Sequence, residues 1–372
     1  MIREMVVAST LVLAACGGAG RDSAGIAHHR SGISALDVLY AGDASGGFAR
    51  ALAVRPFVFP RDQGPHPAFR HEWWYWTGHL ESRDGQRFGF ELTFFRIALE
   101  PRVSSPQIYI AHFAITDIDR GRFEASARYG RAALGIAGAR ASPFHVWLDG
   151  WSVEAGRPAG SRILKAADSR YGLRLELRPL GPPVLNGDRG LSVKSSDSAS
   201  YYYSIPRLAA SGRLIRGAQS LEVTGTAWLD REWGSGSLGP REQGWDWFAL
   251  QLGDGSDLMF YALRDRGGAR DPHSAGTWIA PDGRTRALSS DDVHIEVLGH
   301  WRSTEGTLYP AGWRVQVPSI GLDVEIMPLL ADQELDTIPV YWEGDASVVG
   351  TRAGHAIRGK GYVELVGYAR SP

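Results

Sequence analysis

An all-β chain assembled from two antiparallel β units in tandem is the fold this sequence predicts, on three observations. Short aromatic or β-branched runs bounded by turn residues recur from Trp73 to Tyr368 with few convincing helical patterns between them, a spacing typical of sandwiches and barrels. The composition agrees, because 46 glycines, 20 prolines and 13 tryptophans suit many tight turns and a large aromatic share of the buried area. Finally, one hairpin pattern occurs twice in the same order, as an internal duplication would leave it.

Taken from the N-terminus, the charged start Met1 to Glu4 gives way to an uncharged stretch, Met5 to Ala15, the pattern of an export leader. Its apolar part falls short of the roughly 20 residues a permanent span requires. The ending Leu13-Ala14-Ala15-Cys16 resembles a bacterial lipobox, so Cys16, the chain's only cysteine, is expected to carry a diacylglyceryl anchor and to be the first mature residue. An ordinary cleaved leader with an incidental cysteine is the alternative. A lone cysteine suits an exported protein that needs no disulfide. Residues 1–16 are thus read as leader and 17–49, Gly/Ser/Ala-rich in its first half, as a flexible tether. The expected location is the periplasmic side of the cell envelope, at the outer membrane. A formal charge of -1 excludes the basic footprint that nucleic-acid binding requires.

The β units follow. Trp74-Tyr75-Trp76 leads to Leu80, turns at Asp84-Gly85 and returns through Phe88 to Arg96. Trp245-Asp246-Trp247 leads to Leu252, turns at Asp254-Gly255 and returns through Leu258 to Arg264. Asp-Gly accepts the positive φ of a hairpin turn. A second match closes each unit, Val223 to Asp230 aligning with Ile357 to Glu364. The units are therefore placed at 50–233 and 234–372.

The motifs Gly64-Pro65-His66-Pro67, Glu72 to Leu80, Phe94-Phe95-Arg96, Ala111-His112-Phe113, Tyr201 to Ser204, Trp228 to Gly234, Gly244 to Phe248 and Gly361 to Leu365 resemble the AttH group of the carotenoid 1,2-hydratase (hydroxyneurosporene synthase) superfamily. The resemblance runs from about Pro56 to the C-terminus. It implies two tandem lipocalin-like antiparallel β-barrels, no cofactor, a hydrophobic small molecule as ligand or substrate and, as for many exported members, an ABC transporter permease as partner. A non-catalytic accessory of a membrane complex is a further reading.

The hydratase branch adds water to an electron-rich C=C bond. That reaction needs a strong acid, a dry site and a placed water, with aromatic faces to stabilise a cation. Candidate acids are Glu72, Asp230, Glu232 and Asp246. Candidate ligand-facing residues are Trp74, Tyr75, His112, Tyr202, Trp228, Trp233, Trp245 and Trp247. Strand alternation puts Asp246 on one face with Phe248, Leu250 and Leu252, where desolvation would raise its pKa, so Asp246 is the preferred general acid. Buried tryptophans more often serve packing, and His112, in an apolar strand, reads more readily as a core histidine than as a base. No pair of histidines has metal-ligand spacing. Neither a Gly-x-Ser-x-Gly elbow nor a triad context for Ser204 supports hydrolysis.

Overall fold

The computed structural model describes residues 46–102, 106–236, 238 and 242–369. Cys16, the expected leader and all but the last residues of the expected 17–49 tether lie outside them. The described residues form a 13-stranded and a 10-stranded antiparallel sheet and a 2-stranded ribbon. Nine strands build the site. The first sheet supplies β1 (His71–Ser82), β2 (Arg87–Ala98), β3 (Gln107–Asp117), β4 (Ala199–Arg216) and β5 (Gln219–Gly234), hydrogen-bonded in the order β3-β2-β1-β5-β4. The second supplies β6 (Glu242–Leu252), β7 (Asp257–Asp265), β8 (Tyr341–Arg352) and β9 (His355–Val366), in the order β7-β6-β9-β8. The first sheet thus ends at Gly234 and the second starts at Glu242.

Both expected Asp-Gly hairpins form. Gly85 and Gly255 take φ of +78° and +88°, and their amides close on Ser82 and Leu252 carbonyls. The sequence runs missed several strands, among them Arg122–Arg131, whose charged and small residues carry no apolar period. The first sheet curls until this edge strand returns against Phe144–Leu148.

Each sheet wraps its own core. In the first, Phe88, Phe90, Leu92 and Phe94 of β2 meet Trp74, Trp76 and Leu80 of β1 and Tyr201, Tyr203 and Ile205 of β4. In the second, Phe248, Leu250 and Leu252 of β6 meet Leu258 and Phe260 of β7 and Val363 and Leu365 of β9. Period-two alternation sends the intervening residues to the outer face, which in these strands is buried as well. Tyr75, Tyr202 and Trp228 of the first sheet pack there against Trp247, Ala249, Met259, Tyr261 and Tyr362 of the second. That double burial is why β1, β2, β6 and β7 read as nearly continuous apolar runs.

Strand pairing corrects one detail of the duplication. Aligning the two Trp-x-Trp motifs sets Tyr75 against Asp246, yet Trp74 and Trp76 point into the first core while Trp247 points out of the second. In the ladders Tyr75 pairs with Asp230 and Trp247 with Glu364. Trp247 is therefore the counterpart of Tyr75, one residue off the motif match. Asp230 and Glu364 correspond, as do Ser204 and Glu343, their partners on β4 and β8.

Candidate functional site

The outer faces of the two sheets leave a narrow, open-mouthed cleft. The first sheet contributes Trp73, Tyr75, Phe95, Tyr202, Asp230 and Glu232, and the second Trp245, Trp247, Tyr261, Leu263, Tyr341 and Glu364. Lys194 and Leu238 complete the rim. An aromatic cleft with a few convergent polar groups has the form of a small-molecule site.

Asp230 sits on its floor, 3% exposed. Oδ1 accepts hydrogen bonds from Ser204 Oγ at 2.5 Å and Trp228 Nε1 at 2.7 Å, and Oδ2 accepts one from the Tyr202 hydroxyl. The network extends outward, since Trp247 Nε1 donates to the Tyr202 oxygen at 3.1 Å and Asn186 Nδ2 to Ser204 Oγ at 2.9 Å. Burial outweighs the three donors and, with help from Glu232, pushes the Asp230 carboxyl up to about 6. Tyr202 is held well above the ordinary phenol range by burial and by Asp230, so it stays a donor.

Glu364, half-buried on the opposite wall, is pushed up to about 8 by burial and by the Asp230 and Glu232 carboxylates, against a hydrogen bond from Trp245. The cleft therefore holds two carboxyls from two sheets whose protonation differs near neutrality, the pattern that separates an acid from a base. Glu232 accepts from Ser200 Oγ and lies 3.4 Å from Lys194 Nζ. That ammonium rests 3.6 Å from the centroid of the Tyr261 ring, so one cation joins both sheets at the rim. Burial would lower Lys194, but Glu232 and Tyr261 raise it, and it remains charged.

Behind Glu364 the interface is acidic. Glu343 is its cross-strand neighbour, and Glu91 faces them from β2. Both are fully buried, and none of their carboxylate oxygens makes a hydrogen bond of normal geometry. Burial first raises both groups, repulsion from Glu364 adding to it, and Glu343, which also faces Glu91, is lifted well above the carboxylate range, so the protonated form is favoured. Among the described residues no group of three or more His, Cys, Asp or Glu is placed to hold a metal ion. A carboxyl raised in the folded state binds a proton that the unfolded chain has released. Its stabilising contribution is present below the unfolded value of 4.5 and fades as pH rises through the folded one. Glu343→Gln is therefore expected to flatten the fall in urea midpoint between pH 5 and 8, and a variant with the wild-type slope would remove Glu343 from this role.

The remaining sequence candidates lie elsewhere. Asp246 is on the inner face of the second barrel with Phe248 and Leu250; its Oδ1 accepts from Arg264 Nε at 2.8 Å and both oxygens from Tyr368. Burial raises its pKa, Arg264 opposing, but it does not line the cleft. Trp74 and Trp233 belong to the first core. His112 is buried, its Nδ1 2.8 Å from the Tyr341 hydroxyl, and burial lowers it to about 4, leaving it neutral. The residues that sequence reading passed over are Glu364, Glu343, Glu91, Lys194, Tyr261 and Tyr341. The signal for Glu364 was present in its alignment with Asp230.

Three comparisons bear on this architecture. The AttH-like family model matches residues 50–368. The solved structure of an AttH protein from Nitrosomonas europaea is 36% identical, with a TM-score of 0.78 over 87% of this chain and 100% of that one. Kievitone hydratase from Nectria haematococca is 14% identical with a TM-score of 0.67, covering 87% of this chain and 96% of its own. CghA, solved with Sch210972, gives 14% identity and 0.54 over 90% and 97%; the last two share the fold. The search of curated proteins finds no match.

Proposed function

This chain belongs to the AttH-like family, and on that premise we propose that it takes a lipophilic, unsaturated small molecule into the cleft between its barrels and adds water across a C=C bond without a cofactor. The observation that carries this reading is the pairing of Asp230 with Glu364 across aromatic walls. Near pH 7 Glu364 holds its proton and Asp230 has lost its own. Glu364 gives the proton to one carbon, the neighbouring carbon gains positive charge facing Tyr75, Trp245 and Trp247, and water adds there as Asp230 takes its proton. The water's second hydrogen stays on the new hydroxyl, and proton return from Asp230 through solvent restores Glu364. Dry aromatic faces favour the cation. A protein named for a hydratase activity and one solved with Sch210972 share this architecture.

The test is uptake of a polyene or isoprenoid by the purified protein, followed by mass spectrometry of product formed in ¹⁸O-labelled water. Label in a new hydroxyl supports the reading. Uptake without label makes the protein a carrier, a reading favoured by the largely apolar lining, and no uptake sinks both. Trp247→Ala opens the wall between Tyr75 and Trp228, which its ring touches edge-on at 5.2 Å and 6.3 Å. Ligand affinity is expected to fall about tenfold, the scale of a lost aromatic contact, as read by titration calorimetry.

The leader and Leu13-Ala14-Ala15-Cys16 support placing this cleft at the envelope surface, tethered by lipid and within reach of a transporter permease. Cys16→Ser is then expected to move the protein from the membrane to the soluble fraction. Unchanged sedimentation with membranes would remove the anchor.

A further inference from the structure

The edge strand Arg122–Arg131 runs into an apolar turn, Ala132-Ala133-Leu134-Gly135-Ile136. Leu134 is 99% exposed and Ile136 49%. Leu134 also holds φ at +53°, a left-handed conformation uncommon for such a residue, so the fold points this side chain outward and gains no packing from it. The turn is tied down from behind. Trp147 Nε1 donates to the Gly135 carbonyl at 2.9 Å, and the half-buried Trp147 ring stacks on His145 at 4.5 Å. The exposed Tyr129 hydroxyl accepts from the Ile338 amide at 2.8 Å and donates to the Ile338 carbonyl at 3.0 Å, which adds a further exposed apolar side chain.

Leu99, exposed at the end of β2, belongs to the same end of the barrel. Its amide donates to Pro106 O at 3.1 Å, and the Ala132 amide donates to Gln107 O at 3.0 Å, so the ends of β2, β3 and the edge strand lie side by side. Trp73, Phe95 and Trp245 of the cleft pack with Ile97, Ile108 and Ile110 on the outer face here. Apolar surface therefore runs from the cleft to the strand ends that carry Leu99 and the turn. The described chain begins here as well: a Cβ on Gly47 would lie 3.3 Å from Pro101 Cγ, so the point from which the expected anchor is tethered is at this end. Arg102 and Arg131 are exposed beside these side chains, and among the described residues neither pairs with a carboxylate, although Glu100 is exposed next to Leu99.

We infer that this end of the first barrel rests on a lipid bilayer. Leu134 and Ile136 enter the boundary between headgroups and acyl chains, Tyr129 and Trp147 lie at headgroup level as interfacial aromatics do, and Arg131 meets lipid phosphate. A narrow turn cannot supply the roughly 800 Å² per partner of a stable protein interface, but it can sink into a fluid phase, as other interfacial anchors do. A lipophilic ligand then passes between bilayer and cleft along Ile97 and Ile108 without crossing water. That passage rests on the proposed function; the docking does not.

Cys16→Ser removes the only cysteine, so a single nitrobenzoxadiazole dye can be placed in the full chain through Leu134→Cys, Ile136→Cys or, as a control toward the far end of β8, Val349→Cys. The probe is vesicles of phosphatidylcholine and phosphatidylglycerol. Dye emission is expected to shift blue and to resist iodide quenching at 134 and 136, and to stay unchanged at 349. Adding Leu134→Asp to the 136-labelled chain is expected to raise the lipid concentration for half the shift by about tenfold or more, the scale of one buried leucine, with no change in unfolding temperature. The proposal is overturned by no shift at 134, an equal shift at 349, or a half-shift concentration indifferent to Leu134→Asp. A shift that follows protein concentration without lipid assigns the face to a second copy, and one seen with native membranes but absent with protein-free vesicles assigns it to a membrane protein; either overturns the proposal. Docking can fail while ¹⁸O enters the product, and hydration can fail while the dye at 134 still enters the bilayer, so the two readings are separable.

Discussion

Asp230→Asn is expected to lower hydration turnover by about 10²- to 10⁴-fold, the usual worth of one positioned acid–base group, while ligand affinity stays within a few-fold. The substitution suits the local network. The amide oxygen still accepts from Trp228 Nε1 and Ser204, and the amide nitrogen can donate to the Tyr202 oxygen once that hydroxyl turns. Only the ability to take a proton is lost. The pH profile supplies a second readout. A base must be ionised, so the rate should climb as pH rises through about 6, where Asp230 titrates. An acid must hold its proton, so it should fall beyond about 8, where Glu364 does. Glu364→Gln should remove the alkaline limb together with most of the rate, and Asp246→Asn should leave both limbs in place. An Asp230→Asn enzyme with wild-type turnover, or one that keeps the acid limb, would take Asp230 out of the mechanism.

How much of this was legible depends on which contacts are local. The Asp-Gly turns and the shared face of Asp246, Phe248, Leu250 and Leu252 follow from nearest-neighbour geometry, and the structure has them. The face on which Trp245 and Trp247 lie was equally legible. What covers that face was not, because period-two alternation says which residues point together and nothing about the sheet opposite. Asp246 looked poised because it ends an apolar row; Arg264 and Tyr368, 18 and 122 residues away, hold it in the barrel. Glu364 and Glu343 looked like ordinary strand carboxylates because polar residues alternating with apolar ones normally meet water. Here they meet a second sheet, and burial turns them into neutral acids. The off-by-one match of the Trp-x-Trp motifs has the same origin, since aromatic residues occupy both faces of β1 and β6 and the ladder partners alone fix which tryptophan answers to Tyr75.

The motifs that mark the family most visibly belong to stability, and Glu72→Gln is the change expected to reveal it. Glu72 is 1% exposed. It accepts from Arg96 Nε at 2.7 Å and from Arg231, while the His66 backbone amide at 3.0 Å and His66 Nδ1 at 2.7 Å complete its shell. Arg231 lies 4.0 Å over the Trp74 ring, and His66 stacks on Trp233 at 3.8 Å and 4°. Glu72 thus joins the 64–67 segment to β1, β2 and β5. Burial alone would raise its carboxyl, but Arg231 and Arg96 hold it well below the usual range. A depressed folded pKa contributes stability above the unfolded value of 4.5 that is lost as pH falls toward the folded one. Glutamine keeps the shape and removes the charge, leaving two buried guanidinium groups unpaired. Loss of one partner from such a cluster costs about 3–5 kcal/mol, and Tm should drop by on the order of 10 °C, with a shallower stability loss between pH 4.5 and 2 than the wild type. The triple change Glu72→Gln, Arg96→Met, Arg231→Met should recover much of the loss, because removing all the charges leaves none stranded. If Glu72→Gln unfolds at the wild-type temperature, the cluster is not what holds the segment, and its residues must be sought in ligand binding instead.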